Sequence, residues 1–585
     1  MRRASFLAAV VGSLGALALA GTARAELLFE EKSGLLVQAC ADGCNTNYNV
    51  IVDLDGDGAL DLVFPNSTGF FASGGPNEPL AIYKGDGKGA FTDVSATAVA
   101  GFSGAVREVA IGDVDGDGDL DMYAPSGKGQ PDKLFINKGN LVFADEAATR
   151  IGGLKSNAGA TRFGDLDDDG DLDIFVADSF ANGSNVVGHV YKNDGTGTFT
   201  LDAAALPAVS GDETDDVDFL DVDGDFDLDI LVNLHAANAV LLVNDGTGKF
   251  TNGSMNLPPH SGGLHYGPGV GDIDGDGDLD IVFDNAGPSM REQLIVNDGT
   301  GKFTDASTQI ANNPAGADDN GANFMDHDGD GDLDLVIPSL SSPGERVYAN
   351  DGAGNFAAVS AAFTATGDPT LWMDFGDLDG DGRLDAVTAQ GEGNPKDDRV
   401  YLGTAAVAVD TRAPRVIAQS DTTTTAAEMV VRFRVSDNAV TDVGPRLQRA
   451  WLKVGVTEYD AKFVGGDVFR AVIPAGAAGT AIQVCATDRQ GNTVAECGGV
   501  NPASTSSSVS TGAAMSTSGS SMSTTSTGTG AGGGGGEVVI DGGGCGCRVE
   551  ASTDPERDFA IVTGAIGLAL VVVRRRRSGA RASGV

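Results

Sequence analysis

Basic residues are scarce in this 585-residue chain: 38 Lys and Arg stand against 83 Asp and Glu, for a formal net charge of −45. Nucleic acid is thereby excluded as a natural partner, because non-specific affinity for phosphates needs clustered Lys and Arg. The partners such a chain invites are cations. Histidine is scarcer still. His189, His235, His260, His265 and His327 are scattered without zinc spacing and read as surface or hydrogen-bonded residues, with His260 and His265 the one local cluster to inspect. There is no Gly-x-Ser-x-Gly elbow and no phosphate loop, so no catalytic residue is assigned and the chain reads as a non-enzyme. Long apolar runs are confined to the two ends. Such an acid excess usually means disorder, yet 41% of residues are hydrophobic, so a core can form once the acids are neutralised.

The ends carry addresses. Met1-Arg2-Arg3, an apolar stretch from Phe6 to Ala20 and Ala23-Arg24-Ala25 predict a signal peptide over 1–25 and export of the remainder. At the other end, residues 559–573 are apolar and Arg574 to Arg577 follow at once. Fifteen helical residues span about 22 Å, so this is a short transmembrane segment with a positive-inside stop. Cys545 and Cys547 stand just upstream, and the order of Gly-Cys-x-Cys, short apolar helix and Arg cluster over 545–585 resembles the C-terminal sorting tail of myxobacterial surface proteins. That resemblance implies processing at the cysteines and anchoring at the cell envelope.

Residues 501–544 are rich in Ser, Thr and Gly and read as a disordered stalk. Over 406–500, alternating segments such as Met429 to Val435, Trp451 to Val454 and Ile482 to Thr487 predict a β-sandwich. Its Asp410-Thr411-Arg412-Ala413-Pro414 start and its Ala-Thr-Asp-x-x-Gly-Asn ending resemble bacterial immunoglobulin-like domains. Cys485 and Cys497 are symmetric about Gly491 and would pair across that hairpin; Cys40 and Cys44 would close a small loop likewise.

Over 26–405 one nonapeptide, Asp-x-Asp-x-Asp-Gly-x-x-Asp, recurs seven times at intervals of 60, 52, 56, 51, 54 and 51 residues. Its carboxylates fall at loop positions 1, 3, 5 and 9. They are Asp53, Asp55, Asp57 and Asp61; Asp113, Asp115, Asp117 and Asp121; Asp165, Asp167, Asp169 and Asp173; Asp221, Asp223, Asp225 and Asp229; Asp272, Asp274, Asp276 and Asp280; Asp326, Asp328, Asp330 and Asp334; Asp377, Asp379, Asp381 and Asp385. Position 7 adds a backbone carbonyl from Ala59, Asp119, Asp171, Asp227, Asp278, Asp332 or Arg383. Five or more hard oxygens suit Ca²⁺, up to seven ions in all. The seven loops hold 34 of the acidic residues, a density that without a cation would cost repulsion throughout the fold. An EF-hand would need Glu at position 12, where Phe64, Ala124, Val176, Val232, Phe283, Ile337 and Thr388 stand. Position 8 is Leu in every copy, placed to pin the loop to a core. In the fourth loop Phe226 replaces a glycine at a left-handed position, which makes that site doubtful.

A second signal sets the count. Turn segments such as Asn244-Asp245-Gly246-Thr247-Gly248-Lys249-Phe250 end in Phe91, Phe143, Phe199, Phe250, Phe303 and Phe356, and the next loop begins 21–23 residues later each time. They read as hairpin turns. The last repeat lacks its Phe, while Leu28-Phe29-Glu30 precedes the first loop, so the N-terminal strand should complete the last sheet and close a ring. The expected fold is all-β, a seven-bladed β-propeller followed by the sandwich, stalk and transmembrane segment.

These repeats resemble the FG-GAP/VCBS repeats of bacterial surface proteins, which are similar to the calcium-loop blades of integrin α-subunit propellers. The resemblance implies a surface-exposed, calcium-binding propeller that binds an extracellular glycan, matrix component or protein, as in cell adhesion. The alternatives it leaves open are a polysaccharide lyase or hydrolase on the same scaffold, and a passive structural surface protein.

Overall fold

The structure, a computed structural model, describes residues 27–500 apart from 42, 68–75, 128, 157, 178–186, 210–213, 236, 261–264, 286–290, 316–317, 341–343, 392–394, 426, 438–445, 478–480 and 495–498. The signal peptide, the stalk, the tail with Cys545 and Cys547, the segment 559–573 and Cys497 lie outside the described residues. Among those that are described, no helix is long and apolar enough to cross a membrane.

Residues 29–403 form seven four-stranded antiparallel sheets. The fourth is representative. Thr214–Leu220 pairs with Asp229–Leu234, then Val240–Asn244, then Phe250–Asn252. In each sheet the acidic loop joins the first strand to the second, and in the first six the Asn-Asp-Gly type of turn joins the third to the fourth. Both connections therefore lie on one face. First strands of successive sheets lie against one another at six of the seven junctions. The second strands, such as Asp280–Phe283 and Asp334–Ile337, are buried along their whole length, which is why they read as unbroken apolar runs.

The ring closes through its N-terminus. Phe29–Glu31 pairs with Arg399–Gly403, so the chain's first strand is the outer strand of its last sheet. A separate apolar cluster fills every junction between sheets. The one that joins the last sheet to the first contains Ile51, Leu62, Leu378, Val387 and Val400. Position 8 Leu side chains pack into these clusters, from Leu228 at 1% exposure to the half-buried Leu60 and Leu384. This is a β-propeller.

After it come two further four-stranded sheets that share one core, with Met429, Val431, Phe433 and Val435 facing Leu452, Val484 and Ala486. Cys40 and Cys44 are bonded to each other. Cys485 is also disulfide-bonded.

Candidate functional site

Each acidic loop is built by its own carboxylates. The position 7 amide donates to the position 5 carboxylate in all seven loops, at 2.9–3.0 Å. The position 6 amide donates to the position 1 carboxylate in six of them, as Gly58 does to Asp53 and Gly382 to Asp377. Phe226 takes φ +69° and makes the same bond to Asp221, so the fourth loop keeps the shared path at the expense of a side chain in the left-handed region.

Position 9 has a structural duty that its spacing did not reveal. Its carboxylate is buried and accepts two backbone N–H groups, one from position 2 of its own loop and one from the end of the third strand, at 2.7–3.3 Å in every sheet. It thus ties loop to turn. Burial, which outweighs those bonds, pushes Asp61 up to about 6, Asp121 and Asp280 to about 7, Asp173 and Asp385 to about 8, and Asp229 to about 9. At position 1, burial raises Asp165 and Asp221 to about 7 and Asp326 to about 6.

The turn asparagines were also missed as anything but turn formers. Asn244 Nδ2 donates to Leu228 O of its own loop at 3.1 Å and to Leu166 O of the preceding sheet's loop at 2.9 Å. Asn137, Asn193 and Asn350 make the same pair of bonds, and Asn297 reaches back to Val222 O. Each one staples two acidic loops together. In the first and last sheets the position is Gly85 or Gly403, where a Cβ would stand 2.0 Å from Leu60 O or 2.5 Å from Leu384 O.

The loops can hold a divalent cation. Ligand atoms of Asp53, Asp55 and Asp57 lie within 4.8 Å of one another, and those of Asp113, Asp115 and Asp121, of Asp165, Asp167 and Asp169, and of Asp221, Asp223 and Asp225 converge in the same way. Buried oxygens of Asp53, Asp55, Asp115, Asp165 and Asp167 accept no hydrogen bond. A buried anionic oxygen without a donor is costly, and a hard cation would supply what is missing. Lys84 and Lys192 stand on the outer oxygens of Asp57 and Asp167, at 2.6 and 2.7 Å.

The histidines do not form part of this array, with one exception. His327 occupies position 2 of the sixth loop, buried, with its Nδ1 on Asp334. Elsewhere, the His260 and His265 rings lie 3.6 Å apart against Phe283. Burial lowers them to about 4 and about 3, so both are neutral imidazoles. His235 pairs with Asp215 at 2.7 Å, and His189 packs near Tyr191.

A family model described as FG-GAP-like repeat matches residues 53–124, 165–232, 234–283 and 339–388. The chain carries FG-GAP-like repeats. Their matched segments each contain at least one acidic loop or the strand that follows one. No curated protein matches the sequence significantly. Among solved structures the FG-GAP chain is similar to YCF48 bound to D1 peptide, with a TM-score of 0.39 and 7% identity over 63% of this chain and 94% of that one. It is also similar to Bacillus licheniformis rhamnogalacturonan lyase PL11, with a TM-score of 0.37 and 16% identity over 65% and 76%. A third similar structure is SapL1 lectin in complex with alpha methyl fucoside, with a TM-score of 0.32 and 14% identity over 55% and 98%.

Proposed function

We propose that this FG-GAP protein is an exported, calcium-rigidified propeller that binds a glycan, matrix component or protein at the cell surface. In this reading it is lifted off the envelope by its immunoglobulin-like module and stalk, is anchored through its tail, and carries no catalysis of its own. The observation that supports it is the repeated loop with converging carboxylates and donor-free buried oxygens, stapled to its neighbour by asparagine. Such loops bind Ca²⁺ to set the shape of a rigid ring, and a rigid ring presents a large preorganised surface at little entropic cost on binding. Up to seven ions would be held, by positions 1, 3, 5 and 9 and the position 7 carbonyl.

The test is a glycan and matrix-protein array probed with the purified chain in millimolar Ca²⁺ and again in EGTA. Calcium-dependent retention of a defined ligand, recovered without cleavage, is expected. Release of shortened saccharide would move the chain to the enzymes, and elemental analysis that finds no bound calcium would remove the metal from the account.

A further inference from the structure

The alternation in Glu428–Ser436 puts Met429, Val431, Phe433 and Val435 into the sandwich core and should leave the arginines between them in water. They are not. Arg432 is 7% and Arg434 3% exposed, because that face of the sandwich lies on the acidic-loop face of the propeller. Six of its arginines reach the loops. Arg489 meets Asp53 at 3.3 Å, Arg470 meets Asp168 at 3.7 Å, and Arg432 joins Asp168 of the third loop to Asp227 of the fourth, the latter at 3.0 Å. Arg415 pairs with Asp272, while Arg434 and Arg412 donate to Gly277 O and Gly329 O at 3.2 and 2.7 Å.

Charge is only part of this contact. Val464 and Val468 belong to the same apolar cluster as Val217 and Leu228, between the third and fourth sheets. The Asp165 amide donates to Val464 O at 2.8 Å. Between those valines, Gly465 and Gly466 turn at positive φ so close to the ring that a Cβ would stand 2.6 Å from Leu228 Cδ1 and 2.8 Å from Phe219 O.

The repeat itself is altered at this place. At position 4, six loops have Gly and the third has Asp168, held at φ +63°. Position 4 is not a cation ligand in this loop pattern, so coordination of an ion does not account for the carboxylate. Its partners are Arg432 and Arg470 of the sandwich. Asp227 likewise offers a cation only its carbonyl, which leaves its side chain to Arg432.

We propose that the sandwich is a fixed cap on the acidic-loop face, keyed to the third and fourth repeats by Asp168 with Arg432 and Arg470 and by the Gly465-Gly466 wedge. It is then no swinging spacer. Any ligand must meet the opposite face or the outer rim, which goes beyond the binding role proposed above and holds whatever the ligand is.

The test is hydrogen exchange on the full chain in Ca²⁺, comparing the native protein with Asp168→Gly and with Arg432→Gln. Asp168→Gly restores the glycine of the other six loops at a φ that glycine accepts, so the propeller should keep its fold. Exchange at the Asp165 amide and over 462–468 is expected to rise at least tenfold in both variants, with the buried strand Asp61–Phe64 of the first sheet and the Val484 strand unchanged. Full exposure of 462–468 in the native chain, or unchanged protection in both variants, would overturn the cap. Loosening of the buried strand Asp61–Phe64 in Asp168→Gly would overturn it too, since the carboxylate would then serve the propeller repeat rather than the seat.

Discussion

At the scale of single residues, the asparagine that begins five of the turns does more than its turn chemistry announces. Asn244 joins two carbonyls whose residues stand 78 and 16 positions away, and no short-range pattern in the sequence encodes a contact of that span. Its replacement by Ala would strand Leu166 O and Leu228 O in a buried place. Asn244→Ala should therefore cost about 2–3 kcal/mol, read as an earlier thermal or denaturant midpoint of the calcium-loaded chain. The opposite sign is expected where the sequence departs from its own rule. Phe226 sits at φ +69° in a position that the other loops fill with glycine. Phe226→Gly should raise stability by about 1 kcal/mol and tighten calcium at the fourth loop in a competition titration with a chromophoric chelator. The left-handed backbone was legible from the repeat alone, because six aligned glycines define what the seventh residue must do. The amide-binding role of position 9 was not, because a carboxylate placed to hold a cation and one that binds amides look alike in sequence.

At the scale of the element, each acidic loop is a small electrostatic problem with two solutions, a cation or protons. Without a cation, Asp173 and Asp385 are pushed to about 8 and Asp229 to about 9, while the same groups in the unfolded chain ionise near 4. The folded state thus binds more protons than the unfolded state between those limits. Stability in EGTA is fully present below pH 4 as far as these groups are concerned, and is lost as pH rises through 8 and 9. Melting in EGTA should accordingly fall between pH 6 and pH 9. Bound calcium would replace the protons and need the ionised carboxylates, so the gain in melting temperature on adding millimolar Ca²⁺ should grow over the same range. A melting temperature in EGTA that is flat or rising from pH 6 to pH 9 would contradict the burial of position 9.

At the scale of the whole molecule, the repeats made the ring legible: seven acidic loops in register, six terminal phenylalanines, and a stray Leu28-Phe29 at the start to stand in for the missing one. The seating of the sandwich was not legible. Arginines that alternate with apolar residues read as a solvated face, and only the fold brings Arg432 to Asp168 across a separation of 264 residues. Ring closure, by contrast, can be tested by removing what closes it. Phe29–Glu31 supplies the outer strand of the seventh sheet, and Phe29 is fully buried, stacked on Phe363 with ring centroids 4.6 Å apart. Thr404 N donates to Leu28 O at 2.8 Å, so the segment also holds the exit from the propeller toward the sandwich. Deleting residues 26–34 would leave the amide and carbonyl row of Arg399–Gly403 open and an apolar slot beside Phe363, Phe375 and Tyr401 unfilled. An open edge next to exposed apolar surface is a template for pairing with another chain. The truncated protein should aggregate or melt far below the intact chain, and a synthetic peptide of residues 26–34 added in excess should restore part of the loss by taking the vacant strand position. A monomeric deletion variant with an unchanged melting temperature would mean that the seventh sheet stands without its fourth strand, and that the ring is held by its inter-sheet cores alone.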